Sequence, residues 1–315
     1  MKRRKRIVFY FEPNWAFGVV HYELSKYLWD LGYDCRLLPW NKSYTREEMW
    51  ELNTTTDLFV TTPHGWRFLG YDYQTVKPEQ CAIISHAKLD MTELIHYHGH
   101  DDFNKFHSYS AVSNWLIDVG KELGITRETN LTPVAINTNA FYSPVNDCLR
   151  VVGYTGSFHQ EQEFSKDQIN SDLAQPKYHK RGWLVKKAVE RTGLGFEVAQ
   201  PYHNSYITMP GFYKKVDCII SASTEEGAGL PILEGGAAGK LIISTPVGHF
   251  KERVGAAGGE EVPIPEDEFV ERTVEILEYY KANPVKYRER CQQIQQHSQS
   301  YDWEHVVDKW AEVLK

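Results

Sequence analysis

Residues 223–234 read Ser-Thr-Glu-Glu-Gly-Ala-Gly-Leu-Pro-Ile-Leu-Glu and set two carboxylates, Glu226 and Glu234, around a Gly-x-Gly-Leu-Pro core. An apolar run of strand character, residues 216–221, precedes the segment, and a helical pattern follows it. Gly227 and Gly229 free backbone N–H groups, and Pro231 suits a first helical turn. An anion such as a phosphate would sit where unpaired amides and the helix dipole both favour negative charge. Glu226 stands just before that anion site and Glu234 lies inside the helix, so the carboxylates flank a bound group from opposite ends. Carboxylates accept hydrogen bonds from sugar hydroxyls. A glutamate pair alone would be a solvated helix face, and a Gly-x-Gly turn alone is weak evidence; the coincidence with a strand, a proline and a helix carries the reading.

Other clusters have blander alternatives. His96, His98, His100, Asp101, Asp102 and His107 have the donor types of a divalent-metal site. Histidines at alternate positions converge only from a strand, whereas residues 90–98 have helical character, so a solvated surface without metal is the favoured reading. Aromatic rings crowd the first part of the chain. Most are expected in the core, with Trp15, Trp66 and Tyr71 on loops that could stack on a sugar or a base. The basic run Lys2, Arg3, Arg4, Lys5 and Arg6 abuts the apolar residues 7–11 and reads as the solvated start of a first strand, ahead of a membrane or nucleic-acid contact.

The elements that must position the glutamates come from alternating patterns of period two and period 3.6. In the first half, strands are expected at residues 7–11, 35–38, 57–61, 80–85, 108–112 and 131–135. Helices are expected at 19–31, stopped by Gly32, and at 114–123, capped by Ser113 and closed by Gly124. Residues 137–148 lack a period and read as a linker. A second set of strands follows at 149–154, 195–199, 216–221 and 240–244, with helices near 181–191 and 230–238 and a mostly helical stretch from 266 onward. The expected fold class is α/β: two Rossmann-like, doubly wound parallel-sheet domains facing across a cleft, with ligands at the carboxyl ends of the strands. The first domain is expected at residues 1–140, the second at 141–299, and the C-terminal helix at 300–315 is expected to pack back on the first.

Bulk composition agrees with two ordinary cores: 315 residues, 42% hydrophobic and 24% charged. The formal net charge of −7, with no basic excess in either half, is not a nucleic-acid footprint. Five cysteines, widely spaced and without a Cys-x-x-Cys, imply free thiols in a reducing compartment, hence a cytoplasmic location. The apolar run at 7–11 is too short for a signal-peptide core, and nothing approaches a membrane span. A nicotinamide-dependent oxidoreductase would share the sheet architecture, but no Gly-x-Gly-x-x-Gly follows the first strand.

Glu226, Gly227, Gly229, Leu230, Pro231 and Glu234 together resemble the signature of the retaining nucleotide-sugar glycosyltransferases of GT-B fold, in particular the large family numbered four. The likeness continues through residues 235–245, then Val247, Gly248 and Glu252, and reaches back over 209–223. Fainter likenesses lie at residues 111–114, 133–141 and 154–156, and at residues 301–304 with Trp310. The resemblance implies that Glu234 binds the donor ribose, that Glu226 meets the transferred sugar, and that Gly227, Ala228, Gly229 and Leu230 lend amides to sugar and phosphate. It places Gly156 at the glycine turn opening the second domain, and Phe17 and Gly18 at the first domain's turn toward the diphosphate, where only one glycine remains. The family's basic pair is altered here: Ser157 stands where an arginine is usual, and Arg181 aligns with the family lysine while the adjacent Lys180 is an alternative holder of the diphosphate. His86 resembles a family histidine near the donor sugar, with His64 the competing candidate. Residues 158–179 form a longer, more polar interval than usual, suited to a flap or acceptor loop.

Those implications give an enzyme transferring a sugar from a nucleotide diphosphate sugar, of the UDP or GDP type, to a saccharide or glycoconjugate hydroxyl with retention. Its expected catalytic set is Glu226, His86 and Arg181, with no active-site metal and no tightly bound cofactor. A modified DNA base as acceptor, and a GT-B-like nucleotide-sugar-binding protein without turnover, are the alternatives.

Overall fold

The computed structural model describes residues 3–13, 16–72, 74–156, 158, 179–199 and 206–315. Trp15, Tyr73, Ser157 and most of the 158–179 interval lie outside the described residues, as do the side chains of Phe17, Tyr71, His98 and Asp102. The chain divides into two compact units, Met1–Ile136 together with Asp302–Lys315, and Asn137–Tyr301.

The first unit is built on six parallel strands: β1 (Lys5–Phe11), β2 (Tyr33–Pro39), β3 (Leu58–Thr61), β4 (Cys81–Ser85), β5 (Ser108–Ala111) and β6 (Asn130–Leu131), in the order β2-β1-β3-β4-β5-β6. Strands β1, β3, β4 and β5 are almost wholly buried, as strands covered by helices on both faces must be. Helices α1 (Ala16–Asp30), α2 (Arg46–Thr55), α3 (Pro63–Trp66), α4 (Lys88–His98) and α5 (Asn114–Glu122) fill the crossovers. Thr45 and Glu48 close a capping box on α2, and the Ser113 hydroxyl accepts from Leu116 N–H at the start of α5. Of the expected sixth strand, 131–135, only Leu131 pairs in register with β5, joined by Asn130 before it; Thr132 N–H still donates to Ala111 O at 3.0 Å, and the ladder stops at Pro133, which has no N–H to offer.

The basic N-terminal run is tied into the protein and not merely solvated. Arg3 pairs with Asp57 at 2.9 Å, Arg4 lies 3.9 Å over the Trp29 ring, and Lys5 Nζ donates to the carbonyls of Leu314 and Lys315 at 2.7 and 2.8 Å. Lys5 thereby caps the C-terminal end of the last helix, where carbonyls have no intrahelical partner. Trp66, expected on a loop, is buried in α3 with its ring 5.0 Å from Phe106.

The second unit opens with the short α6 (Thr138–Phe141), inside what the sequence presents as a linker. Its five parallel strands are β7 (Val151–Thr155), β8 (Gly195–Ala199), β9 (Cys218–Ser221), β10 (Leu241–Ser244) and β11 (Glu260–Glu261), in the order β8-β7-β9-β10-β11. Around them pack α7 (Gly182–Thr192), α8 (Met209–Tyr213), α9 (Leu230–Ala237), α10 (Glu266–Ala282) and α11 (Pro284–Ser298). The apolar core joins Val152, Tyr154, Ile220 and Ile243, which share one face of the sheet, with Leu184, Val185, Phe269 and Leu277. Asp217 anchors the entrance to β9, its carboxylate accepting from Arg150 and Val151 N–H at 2.8 Å each.

Helix α12 (Trp303–Val313) belongs to the first unit, where Trp303 and Trp310 are fully buried. Trp310 Nε1 donates to Pro133 O at 2.9 Å, and the Ser108 hydroxyl donates to Val313 O at 3.0 Å.

Candidate functional site

Strand order locates the site. In the second unit, the crossover from β7 goes outward to β8 and the chain then returns to the other side of β7 as β9, so β7 and β9 are neighbours whose connections leave in opposite directions. Such a switch point opens a crevice at the carboxyl ends of the two strands. The turn after β7 holds Gly156, and the loop after β9 is residues 222–229. Gly156 has a φ of +134°, open to glycine alone, and its N–H donates to Ala199 O at 3.1 Å, fixing the turn against the end of β8.

The loop after β9 is held from three sides. Thr245 Oγ1 donates to Ser223 O at 2.5 Å, Thr224 N–H donates to His179 O at 2.9 Å, and His249 N–H donates to Ala228 O at 3.1 Å. Gly229 takes a left-handed conformation (φ +74°, ψ +55°) and forms the N-cap of α9, with Pro231 in the first turn. The four N–H groups of Gly227, Ala228, Gly229 and Leu230 donate to no described residue. Amides at the positive end of an eight-residue helix, without acceptors among the described residues, favour negative charge beside them.

Glu226 and Glu234 are both brought to this loop and helix, in contrasting surroundings. Glu226 accepts from the Ser223 hydroxyl at 2.7 Å and pairs with the Lys180 ammonium. Burial works against its charge, but Lys180, His179 and these hydrogen bonds outweigh burial and hold its pKa below the ordinary value. Glu234, fifth residue of α9, is 4% exposed and accepts from the Tyr213 hydroxyl at 2.6 Å. Burial pushes Glu234 up to about 7, with the Tyr213 bond opposing the shift.

The two neighbouring cations separate cleanly. Lys180 reaches Glu226, while its backbone carbonyl accepts from the Tyr154 hydroxyl at 3.3 Å. Arg181, 3% exposed and itself left-handed (φ +45°), is a structural bolt: Nε donates to Ala222 O at 2.7 Å, the guanidinium also donates to Ile264 O, and it lies 5.7 Å from the Phe269 ring centre. Arg181, expected among the catalytic residues, is placed by these bonds on the backbone of Ala222 and Ile264. It steadies the carbonyl just before Ser223, and Lys180 is the cation at the carboxylate.

His86 and Gly18 belong to the first unit. Gly18 sits where a Cβ would lie 2.5 Å from Glu12 O and 2.9 Å from the Pro13 backbone, so the start of α1 folds tightly onto the end of β1. His86 follows β4, and burial lowers its pKa to about 3. Its ring centre lies 5.4 Å from that of His21, a fully buried α1 residue. His64 instead bonds Glu93 at 3.0 Å beside Trp40 and Phe68. In the candidate metal cluster, a His100 ring nitrogen contacts Leu123 O at 2.9 Å, and among the described residues no three His, Cys, Asp or Glu side chains converge as a metal centre requires. No helix among them is long and apolar enough to cross a membrane.

Tyr213, His249 and His21 escaped the sequence reading. Tyr213 lies 21 residues before its partner Glu234 and on a different helix, and His249 occupies a loop where only the adjacent Val247, Gly248 and Glu252 carried a likeness.

Two Rossmann-like units, each on a parallel sheet, are the architecture of the GT-B fold. Within it, residues 150–279 match the family model of the glycosyl transferases group 1. No curated protein matches the chain by sequence. Among solved structures the fold is shared with sucrose-phosphate synthase from Thermosynechococcus elongatus at a TM-score of 0.68 and 13% identity, over 99% of this chain and 98% of that one. It is shared likewise with Anabaena HepE in complex with UDP and glucose (0.67, 13%, 99% of each chain) and with the catalytic domain of starch synthase IV from Arabidopsis thaliana bound to ADP and acarbose (0.71, 10%, 99% of each).

Proposed function

We propose that the protein is a retaining glycosyltransferase that takes a sugar from a nucleotide diphosphate sugar and passes it to a hydroxyl of a saccharide or glycoconjugate. The observation that carries this reading is the loop after β9: four unpaired amides at a helix N-terminus, with an ionised Glu226 at one end and a buried Glu234 at the other. Glu234 receives the ribose hydroxyls and Glu226 those of the transferred sugar. The diphosphate rests on the amides of Gly227, Ala228, Gly229 and Leu230, with Lys180 swinging from Glu226 to an oxygen of the leaving group. As the glycosidic bond breaks, negative charge grows on the diphosphate. Preorganised amides and an ammonium stabilise that charge more than the ground state, which is the source of the rate. Gly156 lets the chain approach the same phosphates.

A uridine donor is favoured by HepE, solved with UDP and with UDP-glucose, while the ADP-bound starch synthase IV keeps an adenine donor in the test. The test is a thermal-shift screen of UDP, GDP, ADP and their glucose conjugates on the native protein and on Glu234→Ala. A nucleotide at about a hundred times its Kd stabilises by about 2.7 kcal/mol, a readily measured shift. A shift in the native protein that the variant loses names the donor base; no shift with any nucleotide would sink the reading. Turnover is then read as nucleoside diphosphate release in the presence of oligosaccharides, and the anomer of the product by proton NMR.

A further inference from the structure

His249 has no part in the binding scheme above, yet its placement is unusual for a residue that merely fills space. It is fully buried, its Nδ1 lies 2.7 Å from Glu252 Oε1, and its Nε2 has no partner among the described residues. A buried ring nitrogen without a partner is destabilising, and an apolar side chain of similar shape would avoid the penalty. The bond to Glu252 fixes which nitrogen carries the proton, since an ionised carboxylate only accepts. It also closes a turn at the start of residues 250–255, which Arg253 N–H reinforces by donating to His249 O at 3.1 Å.

The consequence is read at the neighbouring peptide. His249 N–H donates to Ala228 O, and the Ala228–Gly229 peptide is planar and trans. Holding its carbonyl therefore aims the Gly229 N–H in the opposite direction, out of the loop. Gly248, left-handed at φ +58°, allows the approach: a Cβ there would lie 2.9 Å from Ala228 O and 3.1 Å from Glu226 Cβ. We infer that the His249–Glu252 pair is a positioning device, which locks the loop after β10 so that its backbone orients the Gly229 amide of the anion site. In its functional half this inference rests on the donor reading given above.

Isosteres separate the possibilities, because the asparagine amide nitrogen occupies the place of Nδ1 and the glutamine amide nitrogen that of Nε2. His249 has ordinary backbone angles (φ −82°, ψ 3°), which both residues adopt. Two readouts are taken on His249→Asn, His249→Gln and His249→Ala, after checking by circular dichroism that each variant is folded. One is hydrogen exchange at the Gly229 amide in the free protein; the other is donor turnover against UDP affinity. Removing one oriented donor from a developing anion lowers kcat by roughly 100-fold in comparable sites, so His249→Gln and His249→Ala should lose on the order of 10- to 100-fold in kcat with the UDP Kd changed by less than about threefold. His249→Asn should restore both kcat and the exchange rate to within about threefold of the native protein. Equal behaviour of Asn and Gln, or exchange at Gly229 unaltered in all three, would overturn the inference. A native protein that binds none of the nucleotides overturns the donor reading instead, and the exchange measurement still decides the positioning role.

Discussion

Lys180 and Arg181 are adjacent in sequence and identical in formal charge, and the structure predicts opposite phenotypes for their removal. Arg181→Ala deletes a guanidinium that donates to two backbone carbonyls, those of Ala222 and Ile264, and is 3% exposed. Each hydrogen bond from a charged donor contributes about 1.5–3 kcal/mol, and the two carbonyls are left without that partner, so the loss should be about 3–5 kcal/mol. Lys180→Ala removes one half of a pair whose side chains keep 28% and 16% exposure, and Glu226 retains its Ser223 bond. The pair is partly buried and the stranded carboxylate can take up a proton, so its stability effect should be the smaller of the two, about 1–2 kcal/mol. Its effect on donor binding should be large: loss of one charged contact to a diphosphate weakens binding roughly 10- to 100-fold.

The assay is urea unfolding of both variants followed by UDP titration of whichever remains folded. Arg181→Lys sharpens the stability arm, since a lysine offers a point charge where the two carbonyls are met by a planar fork, and should recover less than half of the loss. Arg181→Ala with native stability and weakened UDP binding would refute the assignment of structural and functional roles to the two residues. Lys180→Ala with unchanged UDP affinity would refute the placing of Lys180 on the diphosphate.

Three further outcomes follow from the same geometry. Glu234 accepts ribose hydroxyls most strongly when ionised, with both oxygens charged acceptors, and with its pKa at about 7 the charged fraction rises from about 10% at pH 6 to about 90% at pH 8; UDP affinity measured by calorimetry should rise across that window, and Glu234→Gln should abolish the rise. His21→Phe should raise the first unit's unfolding free energy by about 1–2 kcal/mol, because it removes a buried imidazole with neither nitrogen partnered among the described residues. Burial depresses the His21 pKa, so the unfolded chain binds the extra proton: the His21 contribution is intact above about pH 6.5 and is lost as pH falls below it, by about 1.4 kcal/mol per unit, a slope the variant should lack in denaturation between pH 7 and 5. Gly18→Ala should destabilise the first unit by about 1–3 kcal/mol, since the added carbon meets the backbone of Glu12 and Pro13, which cannot step aside as a flexible side chain would; a melting temperature equal to the native one would contradict the tight turn.

Much of the fold was legible because most strands are short, largely apolar runs, whereas β11, a pair of glutamates, carries no such pattern. The sixth strand was overlong in the reading because residues 131–135 keep an apolar pattern while Pro133 forbids a continuous ladder. Trp66 misled in the same way: neighbouring glycines at 65 and 70 suggest a loop, whereas Gly65 and Gly70 serve close contact with Trp40 and Trp66 inside a helical turn. In the site, Glu226, Glu234 and the glycines between them were readable because they lie in one short segment of the sequence. Tyr213, His249 and the different fates of Lys180 and Arg181 were not. Those depend on which way a side chain turns at a left-handed residue and on pairs brought together across helices and strands, which no spacing encodes.

The two glutamates of the loop and helix are chemically alike and eight positions apart, and the fold drives them in opposite directions. Lys180 and Ser223 keep Glu226 charged despite its burial, whereas among the described residues Glu234 is bonded by the neutral Tyr213 hydroxyl and rises to about 7. Pairs of titratable groups separated in this way mark a division of labour. In the proposed reaction a permanently charged Glu226 faces the sugar, where positive charge develops as the bond to the diphosphate stretches. A carboxylate poised between its two states suits Glu234, which must give up one hydroxyl partner and take others as each nucleotide arrives and leaves. Tyr213→Phe tests that division: with its donor gone, Glu234 should rise further, and the pH at which UDP affinity is half-maximal should move upward while Glu226-dependent turnover at saturating donor and high pH stays within about twofold. A midpoint that stays in place would show that Tyr213 does not set the state of Glu234.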